Sequence, residues 1–292
     1  MSKPGLLIAG VVAAMVALAG AASLPAAAAE GAPKPPRESW SFSGPFGTFD
    51  RAQLQRGFKV YREVCSACHG LGLIAFRNLA EPGGPGFSEA QVKALAAEYQ
   101  IHDGPNDAGD MFDRPGRPAD RFPLPFPNEQ AARASNGGAF PPDFSLLAKA
   151  RTYERGFPWF LFDIVTQYQE QGPDYIHAIL NGYVPAPAGF ELQPGQHYNE
   201  FFPGHRIAMA KPINDGQVEY PKLPNGQPQV PETVEQYSHD VAAFMMWAAE
   251  PHLEARKQMG FKVMVFLIVF GGLLYFTKKK IWAKAHDEEA KA

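Results

Sequence analysis

The sequence predicts a mainly α-helical, loop-rich domain followed by one C-terminal transmembrane helix. Three observations support this prediction. Apolar residues recur with helical spacing in several short segments, and no stretch shows a convincing strand alternation. Glycine and proline each number 28 among 292 residues, which favours long irregular connections. Residues 259–277 are almost wholly apolar, and a run of that length can cross a bilayer.

Residues 1–29 are predicted to be a secretory signal peptide. Lys3 precedes a long apolar run, and the alanines at 26–29 provide a small-residue cleavage site. An N-terminal membrane anchor is the alternative, but the small-residue site and the lack of strong basic flanks favour cleavage. The sequence therefore predicts an exported protein whose mature part begins near residue 30.

The only two cysteines of the chain stand together in Cys65-Ser66-Ala67-Cys68-His69. This C-x-x-C-H spacing indicates a c-type haem attachment site. Thiols three residues apart share one face of a helix, so each can form a thioether bond to one porphyrin vinyl group. The adjacent histidine can bind the iron from the proximal side. We therefore predict one covalently bound haem c on Cys65, Cys68 and His69.

Three other uses of the cysteine pair fit the sequence less well. A structural zinc site needs four ligands, and the sequence has no second C-x-x-C. A thioredoxin-like dithiol belongs between a strand and a helix in an α/β pattern, which this sequence lacks. A disulfide across this spacing closes a very short loop and stabilises little. Haem attachment is the interpretation that the motif favours.

The residues before the motif predict the helix that carries it. Leu54, Phe58, Tyr61, Cys65 and Cys68 follow one another at intervals of three or four, which is an apolar stripe of helical period. Because both cysteines extend this stripe, we expect the haem on the buried face of the helix.

Shorter helices are predicted further along the domain. Ser88 and Gln91 have the spacing of a capping box, and Val92 then begins a short amphipathic helix. Residues 101–142 contain many proline and glycine breaks and are predicted to be a loop. Asp143 is expected to cap a short helix that runs through Arg151.

Two more helices are predicted before the membrane segment. Gly172-Pro173 opens one, which Gly182 ends. Residues 183–230 are irregular again. Thr233 caps the last helix, whose apolar stripe consists of Val234, Tyr237, Val241, Phe244, Met245 and Ala248. This helix leads into the membrane segment with a bend at Pro251.

The C-terminal segment predicts a single membrane anchor. Residues 259–281 form the predicted transmembrane helix, and Lys262 near its edge can reach the headgroups. The lysines at 278–280 place the tail, residues 282–292, in the cytoplasm by the positive-inside rule. We therefore expect a single-pass protein of the cytoplasmic (inner) membrane, with residues 30–258 as one domain in the periplasm.

The charge of the outer domain limits the partners it can bind. Residues 30–258 hold 27 acidic and 20 basic residues, whereas the whole chain has a net charge of only −3. An acidic surface disfavours nucleic acid and suits a basic protein. Residues 98–113 contain carboxylates and no lysine or arginine, and they predict either a solvated loop or a docking surface. The carboxylates are Glu98, Asp103, Asp107, Asp110 and Asp113.

The second axial position of the iron is not assigned by the motif. A methionine there is typical of a low-spin electron carrier, whereas an open position is typical of ligand or peroxide chemistry. Elimination among eight methionines favours Met209, in an apolar loop between Pro203 and Pro212, with Met111 next. The remaining alternatives are His102, His177, His197, His205 and His239.

Further motifs occur in an order that is specific to one family. They are Pro127-Asn128-Glu129-Gln130-Ala131-Ala132-Arg133, Asn136-Gly137-Gly138-Ala139-Phe140-Pro141-Pro142-Asp143-Phe144-Ser145, and Phe202-Pro203-Gly204 through Met209-Ala210. With the cysteine motif and the C-terminal anchor, they resemble the cytochrome c1 family, the haem subunits of the cytochrome bc1 complex (quinol–cytochrome c reductase). The resemblance covers essentially the whole mature chain and departs in residues 152–171, which look like an insertion.

The resemblance implies a c-type cytochrome domain wrapped round one haem. It makes Met209 the sixth iron ligand and His69 the fifth. It also implies that Arg151 pairs with a haem propionate, which suits a guanidinium, and that Asn136 and Tyr175 line the pocket.

The family's function is electron transfer without bond-making chemistry of the subunit's own. The implied partners are the cytochrome b and Rieske iron–sulfur subunits and a soluble or tethered cytochrome c, for which residues 98–113 are a candidate docking surface. The alternatives are a monohaem cytochrome of another respiratory complex and a haem enzyme with an open distal site.

Overall fold

The computed structural model describes residues 33–151, 158, 161–162 and 171–289. These residues are mainly helical, which confirms the predicted fold class. The α-helices are α1 (Arg51–Glu63), α2 (Glu89–Ala97), α3 (Glu129–Ser135), α4 (Leu147–Ala150), α5 (Gln171–Asn181), α6 (Val234–Ala249) and α7 (Leu253–Glu289). The predicted signal peptide and nearly all of the predicted insertion at 152–171 lie outside the described residues.

The helix α6 lies at the centre of the domain and packs against α1, α4 and α5. The predicted stripe of this helix is buried from Tyr237 onward, with Tyr237 and Phe244 fully inaccessible. Every residue from Asp240 to Ala248 is buried, so the second half of α6 is enclosed on all sides. A helix enclosed in this way belongs to the core of a domain.

A close backbone contact in the core joins α1 to α6. A Cβ atom at Gly57 would lie 2.1 Å from the Asp240 carbonyl oxygen, so only glycine permits this approach. The Asp240 carboxylate is fully buried and accepts hydrogen bonds from Arg56 (2.9 and 3.0 Å), Tyr220 (2.8 Å) and Gln236 (3.0 Å). A buried charge is tolerated only with such complete pairing. The contact therefore fixes α1 relative to the core.

The capping residues predicted from the sequence mark the starts of two helices correctly, α2 at Ser88 and α6 at Thr233. Ser88 Oγ accepts from the Gln91 amide N–H, and the Gln91 side chain accepts from the Ser88 N–H, which is the predicted capping box. Thr233 Oγ1 accepts the Gln236 N–H at the start of α6. These caps need only residues close in sequence, so the sequence reveals them.

The prediction that the domain contains no strands was wrong. In residues 101–142, predicted to be loop, β1 (Gln100–Asp103) pairs antiparallel with β2 (Phe112–Pro115), and α3 follows. A second small sheet pairs β3 (His197–Tyr198) with β4 (Arg206–Ile207). Strands of four and two residues are too short for a sequence period to appear.

The end of the chain has the predicted long apolar helix. In α7, the most apolar 18-residue window of the stretch Leu253–Ala283 has a mean hydropathy of 2.1, and none of that window is buried within the chain. It is long and apolar enough to cross a membrane. The helix is also interrupted where the bend was predicted, because α6 ends at Ala249 and α7 begins at Leu253, on either side of Pro251.

Candidate functional site

The helix α1 leads to the cysteine motif but ends before it. Leu54, Phe58 and Tyr61 are buried, as the apolar stripe predicted. The α-helix ends at Glu63, and Cys65–Ala67 form a single 3-10 turn, so the prediction of one continuous helix was wrong. The Cys65 carbonyl accepts hydrogen bonds from the N–H groups of both Cys68 (3.1 Å) and His69 (2.9 Å), which tightens the chain within the motif.

The two thiols are both free of disulfide bonds. Cys65 is partly buried against the hydrophobic core, whereas Cys68 is exposed. Burial, together with the neighbouring Cys68, raises the pKa of the Cys65 thiol to about 12. Two unpaired thiols one turn apart, one facing the core and one facing outward, are available for covalent attachment of a ligand.

The imidazole of His69 is oriented by backbone and aromatic contacts. Its Nδ1 lies 2.8 Å from the Pro142 carbonyl oxygen, and because a carbonyl only accepts, Nδ1 carries the proton. The ring stacks on Phe144 with a centroid distance of 4.2 Å. Burial lowers the pKa of His69, against the opposing effects of Pro142 and Asp143. The imidazole is therefore neutral, and its Nε2 lone pair is directed away from this bond, as in a metal ligand.

The segment that orients His69 is clamped to the chain just after the motif. Asp143 Oδ2 accepts the Gly72 N–H at 2.8 Å, and Ser145 Oγ accepts the Leu73 N–H at 3.0 Å. These bonds cross about 70 residues of chain, so they bring two of the predicted family motifs together.

The Asp143 carboxylate is therefore not the cap of a helix that runs through Arg151. Its second oxygen accepts the Ser145 N–H at 2.7 Å in a local turn, and the helix that follows, α4, is a single turn beginning at Leu147. That prediction was wrong because the carboxylate is used to hold Gly72, a partner that helix capping rules do not consider.

The residues present at the motif fit a c-type haem. The candidate donor set consists of two free thiols and the neutral imidazole of His69, whose Nδ1 is already hydrogen-bonded to the Pro142 carbonyl oxygen. Large apolar side chains near the motif are also exposed, as expected for a surface that a porphyrin covers. They are Leu73 (54% exposed), Leu124 (61%), Phe140 (49%) and Leu146 (53%). A Cβ at Gly70 would lie 2.7 Å from the Leu124 side chain, which places Leu124 directly beside the motif.

Met209 lies two residues after β4 and is partly buried. The Tyr183 hydroxyl donates a hydrogen bond to the Met209 carbonyl oxygen at 3.0 Å. Burial raises the pKa of Tyr183 well above its ordinary value, so the hydroxyl keeps its proton and remains a donor. This bond connects the Met209 backbone to the residue just after Gly182, at the end of α5.

Sequence reasoning missed Asn199, which fastens the loop before Met209 to α5. Asn199 is fully buried, its amide nitrogen donates to the Ile179 carbonyl (2.7 Å), and its oxygen accepts from the Phe201 (3.0 Å) and Phe202 (3.2 Å) N–H groups. A Cβ at Gly182 would lie 2.8 Å from that oxygen. The available sequence signal is an asparagine ahead of a Phe-Phe-Pro-Gly turn, which favours an Asx turn.

The other predicted pocket residues occupy different surroundings. The Asn136 amide donates to the Ala132 carbonyl at 2.7 Å, at the end of α3. Arg151 is exposed beyond the end of α4, and Tyr175 is half-buried in α5. Burial raises the pKa of Tyr175, and the positive charge of Arg151 opposes that rise, so the two side chains lie within electrostatic range. The structure thus brings Arg151 and Tyr175 near each other.

Four of the alternative histidines contact other side chains of the fold. These contacts are His102 with Asp113 (2.9 Å), His177 with Glu235 (3.3 Å), His205 stacked on Tyr198 and His239 stacked on Trp40. Each of these rings therefore has a structural partner.

Comparison with known proteins gives consistent matches. The model of the Cytochrome C1 family matches residues 40–285. A "Cytochrome c1" of Blastochloris viridis is 50% identical and aligned over 90% of this chain and 91% of the relative. A "Cytochrome c1" of Rhodospirillum rubrum is 42% identical over 96% of each chain. A "Cytochrome b/c1" of Bradyrhizobium diazoefficiens is 62% identical over 98% of this chain, which spans 41% of that longer relative.

The role of Asn199 is testable by substitution. We expect Asn199→Ala to lower the free energy of unfolding by about 1–3 kcal/mol, because it leaves buried backbone groups without partners. Hydrogen exchange, measured by mass spectrometry, should accelerate in residues 200–210. The control Asn225→Ala removes an exposed turn bond to the Gln227 N–H and should change neither quantity. Unchanged exchange in residues 200–210 would show that Asn199 does not hold this loop.

Proposed function

This chain belongs to the cytochrome c1 family, and on that basis we propose that it is the membrane-anchored electron-transfer subunit of a quinol–cytochrome c reductase. It accepts one electron at a time from the Rieske iron–sulfur protein and passes it to a cytochrome c, beside a cytochrome b subunit. The observation that carries this proposal is His69, whose neutral ring is held by the Pro142 carbonyl next to two free cysteines.

In this proposal Cys65 and Cys68 hold one haem c covalently, and His69 is the proximal iron ligand. When bound, the haem supplies a one-electron iron couple, so the chain needs no catalytic residue of its own. The Pro142 bond fixes the tautomer of His69 and increases the basicity of its Nε2. Arg151 offers a guanidinium to a propionate, and Tyr175 and Asn136 line the pocket.

If the haem is attached covalently, substitutions of the two cysteines should release it, whereas a substitution of another residue in the same turn should not. Cys65→Ser with Cys68→Ser should abolish haem that survives denaturing electrophoresis, and each single substitution should alter the pyridine haemochrome spectrum. The control Ser66→Ala lies in the same turn, removes only a hydrogen bond to the Arg62 carbonyl, and should keep the haem. Haem that remains on the denatured double variant would exclude thioether attachment at these cysteines.

We further propose Met209 as the distal iron ligand. Its backbone is held by Tyr183, and its loop is fastened through Asn199, so the side chain is carried by an ordered segment. A methionine ligand gives a low-spin iron of raised potential, which suits electron transfer and disfavours the alternative of a haem enzyme with an open distal site.

Replacement of the distal ligand should change the potential. We expect Met209→Leu to lower the midpoint potential and to remove the methionine–iron charge-transfer band, since axial ligands shift haem potentials across roughly 0.8 V in all. Redox titration and absorption spectra measure both effects. Met111→Leu, at an exposed methionine, is the matched control. If Met209→Leu keeps the parent potential and spectrum, another residue is the ligand.

The proposed topology follows from the two ends of the chain. Residues 1–29 act as a signal peptide, the domain of residues 30–258 faces the periplasm, and the segment 259–281 within α7 spans the inner membrane. The exposed apolar surface of α7 supports the anchor. The lysines at 278–280 support a cytoplasmic position for residues 282–292.

We also propose the tip of the β1–β2 hairpin as the docking surface for a basic cytochrome c. Within residues 98–113, two of the five carboxylates are paired with arginine, Glu98 with Arg62 and Asp103 with Arg114, and a third, Asp113, contacts the His102 ring. No Lys, Arg or His of the described residues pairs with Asp107 or Asp110, and both are exposed in the hairpin loop. The uncompensated negative charge is therefore concentrated at the tip.

Arg114 explains why Asp103 is a poor target for a docking test. Its guanidinium also binds Asp120 through two bonds of 2.6 and 2.9 Å, and it holds the pKa of Asp120 at about 2. The arginine thus joins both strands to the next turn, and replacement of Asp103 would disturb the hairpin itself.

Neutralising the tip should slow association. We expect Asp107→Asn with Asp110→Asn to reduce the rate of reduction of a basic cytochrome c at low salt by roughly 3- to 10-fold, a share of the 10- to 10³-fold that electrostatic steering supplies. Stopped-flow kinetics should show the difference shrinking as salt brings the screening length to about 8 Å. Glu89→Gln with Glu219→Gln removes the same charge elsewhere and should have a smaller effect. Equal rates for both pairs at low salt would exclude a docking role for the tip.

A further inference from the structure

The base of the β1–β2 hairpin carries a group of arginines that the proposed function does not use. The chain after β2 pairs with the chain that follows the cysteine motif: the Arg77 N–H donates to the Pro118 carbonyl at 2.7 Å, and Ala75 and Arg121 form an isolated antiparallel bridge. These backbone contacts bring Arg77 close to Arg117 and Arg121, and all three side chains are exposed. We call these three residues the arginine cluster.

The positive charge of the arginine cluster is not neutralised within the fold. In the part of the chain that the structure describes, none of the three guanidinium groups forms an ion pair with a carboxylate. Asp120, which stands between two of these arginines in the sequence, accepts two bonds from Arg114 (2.6 and 2.9 Å). Glu81, which follows the third, accepts a bond from Asn78 at 3.0 Å. Because residues 30–258 hold 27 acidic and only 20 basic residues, the cluster is a local reversal of the sign of the surface charge.

The arginine cluster borders the surface that we assign to the haem. The Arg121 side chain donates to the Gly72 carbonyl at 3.4 Å, and Gly72 lies three residues after His69. The exposed side chains of Leu73 and Leu124 adjoin it, since a Cβ at Gly72 would lie 3.2 Å from the Leu124 side chain. Arginine is enriched in protein interfaces, and exposed apolar side chains beside it indicate a surface for a partner protein. A protein bound here is held beside the cysteine motif.

From this geometry we propose that the arginine cluster is the docking surface for an acidic face of the electron donor, the Rieske iron–sulfur protein. The inference rests on the proposed function, which supplies the donor, and it assigns the site at which the donor binds. In the complex, the reduced iron–sulfur centre loses one electron and the ferric haem gains it, so no other reactant is needed. A guanidinium group can pair with a carboxylate through two parallel bonds, which fixes the orientation of the partner as well as its position.

The two ends of the hairpin carry opposite charges and therefore suit opposite partners. Asp107 and Asp110 at the tip attract a basic cytochrome c, whereas the arginine cluster at the base repels it. An acidic donor is repelled by the tip and attracted by the arginine cluster. Donor and acceptor are thus directed to different parts of the domain, and neither occupies the docking surface of the other.

Charge variants of the full-length holoprotein test this site. The oxidised holoprotein in detergent is mixed in a stopped-flow instrument with the full-length reduced Rieske protein, and haem reduction is followed by absorbance. Arg77→Gln with Arg117→Gln removes two charges of the cluster and leaves the bond from Arg121 to Gly72 intact. We expect the rate at low salt to fall by roughly 3- to 10-fold, a share of the 10- to 10³-fold that electrostatic steering supplies. The difference should shrink as salt shortens the screening length to about 8 Å.

Two control pairs separate docking from loss of net charge and from loss of packing. Lys59→Gln with Lys222→Gln removes the same total charge from lysines that pair with surface carboxylates elsewhere. The donor should reduce this variant at the parent rate. Arg77→Lys with Arg117→Lys keeps the positive charge, and it should keep most of the parent rate and its dependence on salt.

The hairpin tip and a basic cytochrome c provide a crossed comparison. Asp107→Asn with Asp110→Asn should slow electron transfer to the basic cytochrome c but not transfer from the donor. Arg77→Gln with Arg117→Gln should slow transfer from the donor and leave or raise the rate of transfer to the basic cytochrome c. Damage to the fold would lower both rates and would not give this crossed pattern.

Several results would overturn the proposal. They are equal donor rates for the arginine variant and the lysine control at low salt, a slowing that does not respond to salt, and a slowing that extends equally to the basic cytochrome c. In each of these cases the proposed function stands, because the donor still reduces the parent protein. If the donor does not reduce the parent protein, the proposed function fails, and the assignment of the arginine cluster to that donor fails with it.

Discussion

The buried contact between α1 and α6 determines where the site lies. Asp240 carries its charge into the core, which is possible only because Arg56 and two neutral donors satisfy both carboxylate oxygens. The same contact needs glycine at position 57, since any side chain would meet the Asp240 carbonyl. With α1 held in this way, the cysteine turn that follows it is presented at a defined place on the core. The position of the cysteine motif thus depends on a charged group in the core, away from the motif itself.

The rest of the site is built from irregular chain that side chains hold in place. Asp143, Ser145 and Asn199 each satisfy backbone N–H groups that a helix or sheet would otherwise pair. Glycines at 70 and 182 let these polar side chains approach closely. A loop-rich domain can be ordered by such bonds, and this explains how a composition high in glycine and proline is compatible with a specific site.

Most features that the sequence predicted correctly depend on contacts between residues that are close together along the chain. The capping box at Ser88, the start of α6 and the apolar stripe of α6 depend on residues within one or two turns, and they were predicted correctly. The β1–β2 hairpin and the bond from Asn199 to the Ile179 carbonyl join residues that are farther apart in the sequence. The 3-10 turn at Cys65 is local, but the apolar period continues across it and so does not reveal it. Arg114, for example, joins the hairpin to Asp120, and no periodicity rule includes such a cross-link. The family motifs supplied the candidate donor residues, and the fold shows that the Pro142 carbonyl orients the ring of one of them, His69.

The beginning of α7 bears on how the domain is held above a membrane. A proline between two helices suggests a hinge, yet Leu253 is fully buried and Glu254 is bonded to both Arg51 and the Phe49 backbone. On the other side of the break, Glu250 pairs with Lys149 of α4 at 2.6 Å, and the bonds of Arg256 and Lys149 hold its pKa below the usual value against the effect of burial. These contacts bind the first turn of α7 to the domain, so rotation at Pro251 would break several of them at once. The first turn of α7 is therefore held against the domain, and these contacts set the direction of the helix axis relative to the cysteine motif.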